Sequence, residues 1–111
     1  MSLRNQKCVL ATIKDIPLSI EQCLEFKKEL REDWILDSDN MVLTKTLTFK
    51  NFKDPFQLLV KISKMAEEQN HHPVLKLAYG LLEITIWTHK VNGLLKSDFI
   101  FAAKVDQICE H

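Results

Sequence analysis

The stretch Met41-Val42-Leu43-Thr44-Lys45-Thr46-Leu47-Thr48-Phe49-Lys50 decides how this chain is read. In an extended backbone Met41, Leu43, Leu47 and Phe49 share one side, and Val42, Thr44, Thr46 and Thr48 the other. The period of two and the β-branched content predict a strand with one buried face. Lys45 is the exception on the apolar side. Just upstream, Trp34-Ile35-Leu36 reads as a short strand, and Asp37-Ser38-Asp39-Asn40 is dense in turn formers, so the two strands pair as a hairpin.

Working outward, helices flank this hairpin. Ser19 serves as an N-cap with Gln22 as its capping-box partner, and Ile20, Cys23, Leu24, Phe26 and Leu30 make an apolar stripe to about Arg31. Asp54-Pro55 reads as an N-cap acid followed by proline at the first helical position. Phe56, Leu59, Ile62, Met65 and Ala66 then recur at helical spacing until Glu68-Gln69-Asn70, and Pro73 cannot continue the helix. Val74–Tyr79 and Leu81–His89 read as strands around Gly80. In the second, Leu82, Ile84 and Ile86 face one way, and Glu83, Thr85, Trp87 and His89 the other. Asn92-Gly93 turns the chain into a helix from Leu95 to about Cys109. The expected fold is α+β: a four-stranded antiparallel sheet with three helices packed on one face, in the order α-β-β-α-β-β-α. Residues 1–111 read as a single domain, with 1–16 a loosely ordered lead-in.

Composition narrows the function classes. The 111 residues are 46% hydrophobic and 27% charged, and 15 Lys+Arg balance 15 Asp+Glu. A dedicated nucleic-acid binder carries a basic excess or stripe, and none is visible. Cys8, Cys23 and Cys109 are odd in number and lack paired zinc-type spacing, which points to reduced thiols inside a cell. No run approaches the ~18–20 apolar residues that cross a bilayer, and the apolar stretch Cys8–Ile13 is too short for a signal peptide. The expected location is the cytoplasm, or the nucleus, or an organelle if a leader had been removed.

His71 and His72 at a helix end, and His89 at a strand end, are the residues able to exchange protons near neutral pH. Glu67 lies one helical turn before His71 and can share its face. Taken alone, a His-His pair at a helix end is commonly surface decoration, and His89 a plain surface or interface residue. No HxH, HxxxH or HExxH spacing suggests a metal. Spacing by itself reaches only a small α+β domain with a candidate histidine site.

The joint pattern Glu67-x-x-x-His71-His72-Pro73, Tyr79, Thr88-His89 and Asp98 resembles the pterin-4a-carbinolamine dehydratases, also known as dimerisation cofactors of a homeodomain transcription factor. The resemblance runs from about Leu18 to Ile108. It includes Trp34, Phe49, Phe52 and Phe56, and the ending Gly93-Leu94, Asp98-Phe99 and Ala102-Ala103. It departs at Val74-Leu75, where a Glu-Trp pair is common, and at Lys90, Asn92 and Leu95.

This resemblance implies a hydro-lyase that eliminates water from 4a-hydroxytetrahydrobiopterin to give quinonoid dihydropterin, without metal or organic cofactor. It makes His71 and His89 the acid/base candidates, with His72 holding the ring. Glu67, Asn70, Pro73, Tyr79, Trp87, Thr88 and Asp98 become substrate-binding or supporting residues. Trp87 reads equally as a stacking wall or an interface residue, Asp98 also suits the dipole of the last helix, and Tyr79 reads chiefly as packing. The resemblance further implies a homodimer or homotetramer with a pterin as small-molecule partner and leaves a transcription-factor partner undecided, while the balanced charge and short apolar runs lead us to expect no direct nucleic acid and no membrane. Two alternatives stand beside it: a non-catalytic dimerisation module, and a dehydratase of a related pterin, as in molybdopterin metabolism.

Overall fold

A computed structural model describes residues 2–110; His111, to which the sequence reading gives no part, lies outside the described residues, as does Met1. The elements are α1 (Ile20–Lys27), β1 (Ile35–Asp37), β2 (Val42–Thr48), α2 (Lys53–Gln69), β3 (Val74–Ala78), β4 (Leu81–Ile86) and α3 (Lys96–Cys109). The four strands form one antiparallel sheet in the order β1-β2-β4-β3. The expected α+β order is therefore the observed one. Cross-strand partners set one inward row: Leu43 opposes Ile86, Lys45 opposes Ile84, and Leu47 opposes Leu82. Leu43, Leu82, Ile84 and Ile86 are shut off from solvent and pack with Ile62 and Ala66 of α2 and Phe99, Phe101 and Val105 of α3.

Lys45 interrupts the apolar row because the fold has a use for it. Its Nζ sits 2.8 Å from Asp106 Oδ1 and 3.0 Å from Asp33 Oδ1, with only 1% of the residue exposed. The same Asp106 oxygen accepts the Trp34 indole N–H at 2.8 Å, and Asp106 Oδ2 accepts the Arg31 amide at 3.0 Å. A buried cation persists only when its partners are in place, and here α3 supplies the partner to a strand.

Several boundaries differ from expectation. The capping box of Ser19 and Gln22 is present, but α1 ends at Lys27, and Leu30 reaches the core through a tightened turn closed by Leu30 N–H to Lys27 O. Asp54 is not the N-cap of α2. The helix starts at Lys53, and Asn51 does the capping: its Oδ1 accepts the Asp54 amide at 2.8 Å while its Nδ2 donates to the Asp54 carboxylate. Trp34 precedes β1 as a core residue. The leading segment is also docked rather than loose. Leu3 is buried, Lys104 Nζ donates to the Arg4 carbonyl, and Arg4 pairs with Glu110 at 2.7 Å.

Candidate active site

The end of α2 positions the first histidine. Asn70 takes the left-handed conformation with φ 51°, which closes the helix and turns the chain, and the His71 amide then donates to Ala66 O. His71 Nε2 thereby lies 2.8 Å from Oδ1 of Asp98 on α3, with its ring against Phe101. Asp98 is 0% exposed. Its second oxygen accepts the Thr88 hydroxyl at 2.7 Å and the Leu95 amide at 2.8 Å, so the carboxylate is both the partner of His71 and the cap of α3.

The second histidine stands elsewhere than expected. β4 ends at Ile86, and His89 opens a 3-10 turn, His89–Val91, rather than closing the strand. Thr88 and Gly93 bridge the base of this turn, and Asn92 at φ 50° returns the chain. His89 rests on Trp87, with ring centroids 4.3 Å apart. His72 pairs with Glu67 at the exposed rim. Glu67 thus serves His72 and not His71, because the left-handed Asn70 swings the chain between them.

One cleft of about 210 Å³ gathers Asn70, His71, His72, Trp87, Thr88 and His89. That is below the ~300–1,000 Å³ of drug-sized sites, so the cleft is a small one. Pro73 follows directly as the lead into β3. Tyr79 is not brought to the cleft. It lies at the opposite end of the β3–β4 hairpin, exposed, with its hydroxyl donating to Lys50 O. The sequence reading missed the far wall, Val9, Leu10 and Ala11, which the fold carries across to the same cleft. Their apolar run was visible, but its partners Gln69, Lys90 and Ser97 lie far along the chain. Burial pushes the neighbouring Cys8 thiol up to about 11, so at neutral pH it remains a thiol donating to Ser97 O. Among the described residues no three His, Cys, Asp or Glu side chains converge on a metal position.

A sheet with helices on one face and a cleft lined by three imidazoles, one of them backed by a buried carboxylate, defines a small α+β protein with a histidine-lined cleft. Residues 16–108 match the family described as Pterin 4 alpha carbinolamine dehydratase, and the chain belongs to that family. Proteins of Alkaliphilus metalliredigens and Halorhodospira halophila that carry the provisional name pterin-4-alpha-carbinolamine dehydratase are 38% and 36% identical to it. They align over 96% and 97% of this chain and 95% and 98% of their own. A crystal structure described as a transcriptional coactivator/pterin dehydratase from Brucella melitensis superposes with a TM-score of 0.76 at 27% identity, covering 83% of this chain and 97% of that one. The chain is accordingly a member of a dehydratase family, a class of hydro-lyases.

Proposed function

We propose that this protein dehydrates 4a-hydroxytetrahydropterins to quinonoid dihydropterins, with His71 and His89 moving the protons. The observation that carries this reading is the placing of His71, backed by the buried Asp98, across one cleft from His89. With Nε2–H committed to Asp98, the neutral His71 ring presents Nδ1 as an acceptor for the proton on the ring nitrogen next to carbon 4a. As that N–H bond breaks, a C=N bond forms and the C–O bond at carbon 4a breaks. His89 protonates the departing hydroxide, so water leaves and the proton count balances. His72, steadied by Glu67, orients the ring, and Trp87 forms a wall beside it.

The natural substrate on this reading is a tetrahydrobiopterin-type carbinolamine being recycled in the cytoplasm by a homodimer or homotetramer. Light scattering after gel filtration reads the assembly. The decisive experiment follows dehydration of freshly generated 4a-hydroxytetrahydropterin by ultraviolet absorbance. Wild type should accelerate it, and His71→Ala and His89→Ala should each lose about 10²–10⁴-fold while remaining folded. Variants as fast as wild type would sink the mechanism. A folded wild type without activity would favour the coactivator reading, which the description of the Brucella protein and the exposed Ile35 and Val74 on the uncovered sheet face support.

A further inference from the structure

The segment Cys8–Leu18 crosses the cleft as a strap fastened at both ends. At one end the Cys8 amide donates to Gln69 Oε1 at 3.0 Å, and the Val9 amide donates to Ser97 Oγ at 2.8 Å. The Ser97 hydroxyl returns a bond to Val9 O at 3.2 Å from a buried position next to Asp98. At the other end the Leu18 amide donates to Leu94 O at 2.8 Å, and Pro17 lies so near Gly93 that a Cβ there would meet its side chain at 3.0 Å. Between these anchors Lys90 Nζ, one residue beyond His89, holds Ala11 O at 3.1 Å.

The amides of Cys8, Val9 and Leu18 and the carbonyls of Val9 and Ala11 fasten the strap, while the Val9 and Leu10 side chains are left over. Val9 and Leu10 are 72% and 63% exposed, yet both line the cleft that holds His71 and His89. Apolar groups fixed at a cleft mouth gain free energy when a ligand removes them from water. We infer that Val9 and Leu10 are specificity-determining residues: they cover the non-reacting, carbon-bearing part of the pterin, and Ser97 and Lys90 are the positioning residues that hold them there. The inference rests on the dehydratase reading of the site. It assigns the strap a ground-state binding role, since it reaches the substrate away from the atoms that exchange protons. Such a contact acts on KM and leaves kcat alone.

The test compares wild type with Leu10→Ser, Val9→Ser and Ser97→Ala, using the carbinolamines of 6-methyltetrahydropterin and of tetrahydrobiopterin. Leu10→Ser and Val9→Ser should raise KM about 5–20-fold with kcat within about twofold, and by unequal factors for the two substituents. Ser97→Ala should shift KM in the same direction through the loosened Val9. Leu10 is exposed, so its variant should melt with wild type, which separates the effect from misfolding. Unchanged KM for Leu10→Ser and Val9→Ser in an otherwise active protein overturns the strap's role alone. A folded wild type that turns over neither carbinolamine overturns the dehydratase reading and the strap's role with it.

Discussion

Asp98 shows how much one side chain decides at this site. Three donors reach its carboxylate from three places: His71 after α2, Thr88 after β4 and Leu95 before α3. In Asp98→Asn the Thr88 and Leu95 donors keep the remaining oxygen, so the new amide N–H₂ turns toward His71. A donor there forces the bare nitrogen of His71 to be Nε2 and puts the proton on Nδ1, where it cannot accept from substrate. Turnover should fall about 10²-fold or more while the melting curve stays that of a folded protein; a rate near wild type would end the orienting role. Asn70 gives a stability prediction of the same kind. Its left-handed backbone suits Asn or Gly, so Asn70→Gly should be nearly neutral, whereas a β-branched Asn70→Val should cost about 1–2 kcal/mol in urea unfolding. The histidines themselves were legible from their neighbours in the chain. The pairing of Glu67 was not, because counting helical turns from Glu67 to His71 assumes a helix that Asn70 has already ended.

Among the elements, β2 was the most readable and held the least readable residue. Alternation exposes a strand because each side chain reports its own face. Lys45 obeys the alternation geometrically and violates it chemically, and its explanation, Asp106, is on α3. Nothing local announces such a pair. Removing the buried partner is the informative change: Asp106→Ala leaves Lys45 with only the half-exposed Asp33 and takes the acceptor from the Trp34 indole and the Arg31 amide at once. Breaking a buried pair from one side costs about 3–5 kcal/mol, so the urea midpoint should drop sharply, and a loss under about 1 kcal/mol would show the network to be idle. The start of α2 was misread for a different reason. Asp54-Pro55 satisfies the usual helix signal, but Asn51 caps three residues earlier by accepting the Asp54 amide, which puts Asp54 inside the first turn. His89 was placed on β4 by the run of alternation, which continues into a 3-10 turn that the αL residue Asn92 makes possible.

For the molecule as a whole, the titration of its buried groups sets a direction. Burial raises the thiols of Cys8, Cys23 and Cys109, that of Cys8 to about 11. At Lys45 burial acts downward, but the hydrogen bonds and charges of Asp106 and Asp33 outweigh it, and the ammonium stands above its ordinary value of 10.5. All four hold their protons more tightly in the fold than in the unfolded chain. The stability they contribute is complete below the unfolded values, 9.0 for the thiols and 10.5 for the lysine, and drains away as pH climbs through the folded ones. The urea midpoint should hold from pH 7 to about 9 and fall between about 9 and 11; a midpoint that rises across that interval would contradict these assignments. The element order and the sheet were legible at this scale because each strand and helix declares itself locally. The docked leading segment was not, since Leu3 buries itself using partners from α3, far along the chain.

The strand order has a kinetic meaning as well. The β1–β2 and β3–β4 hairpins each close between neighbours, on the order of 1–10 μs for such units. The centre of the sheet joins Leu43 to Ile86 across about 40 residues, a loop whose entropy must be met before any contact rewards it. Union of the two hairpins is therefore the step expected to be slow in folding. On the ribosome the inner faces of β2 and β4 then wait with only α2 to cover them until α3 has emerged, so a nascent chain stalled short of Phe99 should be a client for chaperones rather than half an enzyme.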